Sequence, residues 1–109
     1  MQDKDQKIKE SPTDEVDLEQ FAKEGKPPPE AKQYRIRVDD QHYVVKSSKL
    51  TGREILVVAG KTPPEKFILT LKIRGRGVRT IALDETVDLR EPGVERFTTL
   101  PREVQEGEK

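Results

Sequence analysis

Side chains that commonly carry out catalysis are few in this sequence, and they do not form a recognisable set. His42 is the only histidine and there is no cysteine, so neither a cysteine-histidine metal site nor a histidine-based catalytic dyad can be completed. The adjacent carboxylates Asp39-Asp40 and Asp84-Glu85 could act as acid and base, but such pairs in predicted turns usually cap backbone groups and face water. We therefore expect a protein that is not an enzyme and that has no metal site and no cofactor.

The most basic stretch is Arg74-Gly75-Arg76-Gly77 with the nearby Arg79. A basic loop of this kind can contact phosphate or nucleic acid. Proteins that bind single strands also present aromatic side chains for base stacking, and none of the five aromatic residues of this chain lies in the stretch. The sequence therefore favours a hairpin turn or a contact with an acidic partner, and it argues against nucleic-acid binding.

The hydrophobic residues are unevenly distributed along the 109 residues, of which 39% are charged and 31% hydrophobic. They are concentrated between residues 34 and 100, where we predict one folded domain. We interpret residues 1–33 as a disordered or linker tail in which a short helix can form over 14–24, and residues 101–109 as a flexible C-terminal tail. The lack of cysteine and of long apolar stretches predicts a monomeric, cytoplasmic protein without a membrane partner.

Alternating and helical patterns predict the elements of the domain. Residues 34–38 alternate apolar and basic side chains, and residues 42–47 can pair back on them as a hairpin. Thr51 and Glu54 have the spacing of a capping box, which predicts a helix from residue 52 to the stop at Gly60. Strands are predicted at 67–73, 78–83, 87–89 and 94–100. The ββαβββ order indicates an α+β fold, with a mixed sheet and one helix across it.

This order resembles the β-grasp fold of ubiquitin, and residues 33–101 resemble more closely the bacterial multiubiquitin-domain family of ubiquitin-like proteins. The similarity rests on a combination of stretches rather than on one motif. They are Tyr34-Arg35-Ile36-Arg37-Val38-Asp39, Tyr43-Val44-Val45, Leu50-Thr51-Gly52-Arg53-Glu54-Ile55-Leu56, Ala59-Gly60-Lys61, Pro63-Pro64-Glu65, Ile81-Ala82-Leu83-Asp84-Glu85, Val87-Asp88-Leu89 and Glu91-Pro92-Gly93-Val94-Glu95-Arg96-Phe97.

The resemblance implies a protein modifier from a bacterial conjugation system. In such a system an adenylating (E1-like) enzyme activates a C-terminal glycine, an E2-like enzyme transfers it to an amine of a target protein, and a peptidase processes or removes the modifier. The matching residue here is Gly107, which requires cleavage between Gly107 and Glu108. A glycine suits this role because a terminal residue that enters a narrow adenylation site must lack a bulky side chain.

Two other functions remain open from the residues alone. The chain could be a non-covalent β-grasp adaptor, or, with weaker support because it lacks a terminal Gly-Gly, a sulfur carrier. For either the modifier or the adaptor, we predict partner contacts on the sheet face opposite the helix and on the tail. This face is predicted to be cationic with one apolar spot at Ile68, and the alternative is an ordinary solvated sheet surface. The predicted contact residues are Arg35, Arg37, Ile68, Lys72, Arg96, Arg102 and Val104.

Overall fold

The computed structural model describes residues 15–102 of the chain. Eight strands and two α-helices follow one another in this part, with a short 3-10 turn at Pro64–Lys66 before β5. In chain order they are β1 (Glu15–Asp17), α1 (Leu18–Lys23), β2 (Gln33–Val38), β3 (Gln41–Val45), β4 (Lys49–Thr51), α2 (Gly52–Val58), β5 (Phe67–Ile73), β6 (Gly77–Ile81), β7 (Thr86–Asp88) and β8 (Val94–Pro101).

The main sheet places the last strand in its centre. Its order is β3-β2-β8-β5-β6, with β1 beside the start of β2, while β4 and β7 form a separate two-stranded ladder. β8 pairs parallel with β2 at Val38–Phe97 and antiparallel with β5 along most of its length. The other neighbours of the main path are antiparallel. This mixed sheet with one main helix confirms the predicted α+β, β-grasp-like architecture.

The helix α2 begins as its sequence predicts. The Glu54 N–H donates to the Thr51 hydroxyl at 3.1 Å and the Thr51 N–H donates to the Glu54 carboxylate at 2.8 Å, which completes the capping box. On its inner face Ile55 and Leu56 are fully buried in the same cluster as the inward residues of the sheet. Because α2 has only seven residues, its stability depends on this packing rather than on its own hydrogen bonds.

The segment before β2 differs from the predicted tail. β1 pairs parallel with the first residues of β2, and α1 packs against β8 and β2. Val16, Leu18 and Ala22 are each only 2% exposed, so residues 15–23 belong to the folded unit. The short helix expected within 14–24 lies at Leu18–Lys23, with Asp17 as its N-cap. The predictions for residues 1–14 and 103–109 fall outside the described residues.

The segment folds onto the sheet because β8 leaves part of one edge of β2 unpaired. β8 shares only one register pair with β2, and a register irregularity follows in its pairing with β5 between Lys72 and Ile73. The edge of β2 over Gln33–Arg35 is therefore left to β1. The apolar residues Val16, Leu18 and Ala22 bury this edge, although the hydrophobic share of residues 1–33 as a whole is low.

No helix within residues 15–102 has the length and apolar character needed to cross a membrane.

Candidate functional site

The place where the last strand leaves the sheet is fixed by Arg102. Its backbone N–H donates to the Lys66 carbonyl at 2.7 Å. Its side chain turns back in the same direction, with Nε donating to the Glu65 carbonyl at 3.2 Å and Nη2 to the Phe67 carbonyl at 3.5 Å. The sequence predicted Arg102 as a partner contact, and the structure places its guanidinium on the carbonyls of Glu65 and Phe67, on either side of the Lys66 carbonyl that its backbone N–H binds. The exit of the chain is thus anchored to the 3-10 turn and the start of β5.

Three pairs of residues face each other on the outward side of β5 and β8. Leu69 and Leu71 point into the core, so the residues that alternate with them along β5 face outward. In register these are Ile68 opposite Leu100, Thr70 opposite Thr98, and Lys72 opposite Arg96. Leu100 is 55% exposed, which makes an apolar pair at the exit end of the strands and a cationic pair at the other end.

Leu100 was missing from the predicted contact residues. Its outward direction could have been found from the sequence, because it is three residues after the inward Phe97 and therefore on the opposite face of the strand. Val78, which is 65% exposed, lies opposite Lys72 on β6 and was also missed. The predicted single apolar spot at Ile68 is therefore extended by Leu100, while Val78 is a separate exposed apolar residue beside Lys72.

The arginines of β2 are not free cations. The Arg35 guanidinium lies 2.6 Å from the Glu15 carboxylate, and the Arg37 guanidinium lies 2.9 Å from that of Glu19. Both glutamates lie in the segment that was predicted to be a tail, so the prediction of a cationic face left out their negative charges. Lys72 likewise lies 3.7 Å from the buried Glu95. The face predicted to be cationic is therefore largely a set of ion pairs.

Glu19 is largely enclosed, with its side chain 11% exposed. Burial acts to raise the pKa of its carboxyl, but the hydrogen bond and charge of Arg37, together with Lys23 and His42, outweigh burial and hold the pKa below its ordinary value. His42 lies 3.8 Å from Glu19. The only histidine therefore sits beside a structural ion pair.

Of the predicted contact residues, the structure brings Ile68, Lys72 and Arg96 together on β5 and β8. Arg35 and Arg37 lie on β2, beside the N-terminal segment. Arg96 has no acidic partner among residues 15–102, and it borders a shallow cavity of about 260 Å³ with Arg37, Asp39, Asp40 and Thr98. Val104 and Gly107 lie outside the described residues.

The candidate acid-base pairs have structural contacts. Glu85 binds the Arg79 guanidinium and accepts a hydrogen bond from the Ala82 N–H at 3.2 Å, and these contacts hold its pKa below the usual range. Asp39 is bound by Thr99 on β8. Within residues 15–102, no group of three or more histidine, aspartate or glutamate side chains is placed to hold a metal ion.

Comparison with known proteins gives one match. A family model described as multiubiquitin matches residues 34–102. No curated protein and no solved structure matches the chain. The matched range begins at the second residue of β2 and ends at Arg102, where the last strand is anchored.

Proposed function

The chain belongs to the multiubiquitin family, and from this membership we propose that it is a ubiquitin-like protein modifier of a bacterial conjugation system. Its reactive group would be the carboxylate of Gly107, exposed when a partner peptidase hydrolyses the bond between Gly107 and Glu108. The folded domain would be the part that the conjugating enzymes recognise. It would not itself be an enzyme.

The observation that best supports this proposal is the position of the chain exit. β8 lies between β2 and β5, and Arg102 holds its end against the Glu65–Phe67 backbone. Gly107 follows five residues later. Five residues span at most about 17 Å when fully extended. That distance is enough for the terminal glycine to enter an enzyme cleft while the domain remains outside it.

The proposed reaction places most of the chemistry on the partners. An adenylating (E1-like) enzyme would join the Gly107 carboxylate to AMP and release pyrophosphate from ATP. An enzyme thiol would displace AMP, an E2-like thiol would take over the acyl group, and a target amine would displace that thiol to form an amide. Because this chain has no cysteine, each thiol must come from a partner. The modifier supplies a carboxylate on a residue without a side chain.

The test is co-expression with the E1-like, E2-like and peptidase partners, followed by intact-mass measurement. We expect a species that ends at Gly107 and adducts of higher mass. Gly107→Val should abolish the adducts, because a branched side chain would obstruct the adenylation site. Lys109→Ala is the matched control and should conjugate normally, since residue 109 is removed first. Absence of any species ending at Gly107 would contradict the proposal.

The outward-facing pair of half-buried Ile68 and exposed Leu100 favours one alternative, a non-covalent adaptor that binds partners through its outward sheet face. Deletion of residues 107–109 separates the two functions. A modifier would lose all adducts, whereas an adaptor would form none in the first place and would keep its partners after the deletion.

A further inference from the structure

The basic turn between β5 and β6 forms one wall of a cleft that the proposed function does not use. The cleft encloses about 330 Å³, at the small end of the roughly 300–1,000 Å³ typical of ligand pockets. The end of α1 supplies a second wall and the loop before β8 a third. Its lining residues are Ala22, Gly25, Arg74, Arg76, Pro92 and Gly93.

Apart from its two arginines, the cleft is lined by residues with small side chains. Gly25 has a φ of +70° and no atom within 4 Å of the position that a Cβ would take, so a side chain there would extend into open space. Gly93 has a φ of +92°, and its Cβ would lie 3.2 Å from the Ile73 side chain. The Arg74 N–H donates to the Gly93 carbonyl at 2.9 Å, which joins two of the walls. The arginines are therefore the only large polar side chains that line the cleft.

The charge of the cleft is positive and incompletely neutralised. Residues 22–26, 74–76 and 90–93 together carry five basic and two acidic side chains. Arg74 has no acidic partner among the described residues. Arg76 is 67% exposed and lies 3.6 Å from Glu91, a single pair that leaves most of its N–H donors free. Two guanidinium groups therefore remain able to bind an anion.

We propose that this cleft binds a carboxylate side chain from an acidic segment of a partner protein. A guanidinium matches a carboxylate with two parallel N–H···O bonds, and the small lining residues leave room for a side chain of that size. The alternative of nucleic acid has less support because none of the lining residues is aromatic, so bases would have nothing to stack on. This site does not depend on conjugation at Gly107.

A titration followed by NMR tests this assignment on the full chain. The probe is a hexaglutamate peptide, and the reporters are the backbone amide signals of Gly25, Gly75 and Gly93. We expect the three signals to move together as the peptide is added, and the effect to weaken as salt screens the charges. Arg74→Gln with Arg76→Gln should weaken binding by about tenfold or more, because both charge-assisted contacts are lost.

A charge-matched control is provided by Lys46→Gln with Lys49→Gln, two exposed cations outside the cleft. This variant should bind hexaglutamate within about twofold of the original chain, since only general attraction changes. Equal loss in both variants would overturn the site, because the attraction would then be non-specific. Unchanged binding in the arginine variant would also overturn it. Movement of the same signals with inorganic phosphate but not with hexaglutamate would overturn the choice of a carboxylate.

Discussion

Asp39 binds both the backbone and the side chain of Thr99, a residue 60 positions further along the chain. The Thr99 N–H donates to Asp39 Oδ1 at 2.9 Å, and the Thr99 hydroxyl donates to Oδ2 at 2.6 Å. The Asp39 N–H in turn donates to the Phe97 carbonyl at 2.9 Å. These contacts extend the single register pair between β2 and β8. They hold the last strand two residues before it ends.

Replacing Asp39 is therefore expected to destabilise the domain strongly. Asp39→Ala removes both bonds from Thr99 and places at a φ of 55° a residue that tolerates this region less well than aspartate, whose polar side chain can bond locally. We expect a total loss of about 2–4 kcal/mol in unfolding free energy. Asp39→Asn should cost less, because asparagine tolerates this φ and keeps one acceptor.

Urea unfolding followed by circular dichroism measures both variants. Asp40→Ala, in the same turn but exposed, is the control and should change the unfolding free energy by less than about 0.5 kcal/mol. If Asp39→Ala were no worse than Asp40→Ala, the junction between the turn and β8 would have no energetic role.

Stability should depend on pH through Glu19. Its folded-state pKa lies below the ordinary value of 4.5, so the folded state favours the charged carboxylate. The resulting stabilisation is complete above pH 4.5 and is lost as pH falls through the folded-state pKa. At pH 7 we expect Glu19→Gln to cost about 1–2 kcal/mol, since it weakens a hydrogen bond between charged groups.

The measurement is the difference in unfolding free energy between the original chain and Glu19→Gln from pH 7 down to pH 3. This difference should shrink below pH 4.5, while Glu15→Gln, which weakens a more exposed pair, should show a small difference throughout. A difference for Glu19→Gln that stays constant over this range would show that the carboxylate charge contributes nothing.

Gly52 should not tolerate any side chain, although it lies in the first turn of a helix where alanine is normally favoured. A Cβ on Gly52 would lie 2.4 Å from the Ala82 carbonyl oxygen, which is part of the backbone and cannot rotate away. We expect Gly52→Ala to lower the unfolding free energy by about 1–3 kcal/mol. Thermal unfolding compares this variant with Arg53→Ala, whose ion pairs are exposed and should contribute little to stability. Equal or greater stability of Gly52→Ala would contradict the close approach of α2 and Ala82.

Polar substitution of Ile68 and Leu100 should weaken partner binding without unfolding the domain. Because Leu100 is largely exposed while Ile68 faces outward but is half-buried, the double change to serine should cost about 1–2 kcal/mol in stability and leave the domain folded. The affinity of the domain for a protein that binds this sheet face, such as the E1-like enzyme, should fall by about tenfold or more if Ile68 and Leu100 form the centre of the interface. Val78→Ser is the control, since Val78 is exposed on the same face but two strands away from Leu100. Affinity that changes equally in both variants would place the interface elsewhere.

Most elements of the domain could be predicted because they have a local signal, whereas the three-residue strands β1 and β4 were not predicted. The capping-box spacing of Thr51 and Glu54 predicts the start of α2, and the alternation of apolar and polar residues over 67–73 predicts β5. Long-range relationships have no such signal. Glu15 and Glu19 look like tail residues unless their partners Arg35 and Arg37 are known, so the sequence predicted a cationic face where the structure has ion pairs. The contacts of the Arg102 guanidinium could likewise not be predicted, because its partners are backbone carbonyls 35 and 37 residues earlier in the chain.

The most direct test of the modifier function is the identity of the bond to the target. Trypsin cleaves after Arg102, so a target conjugated through Gly107 should carry the remnant Glu103-Val104-Gln105-Glu106-Gly107 on a lysine. Mass spectrometry of adducts formed with the E1-like, E2-like and peptidase partners should find this remnant, and it should be absent when the E1-like enzyme is omitted. Complete lack of modified lysines, or a remnant that ends at any residue other than Gly107, would contradict the account.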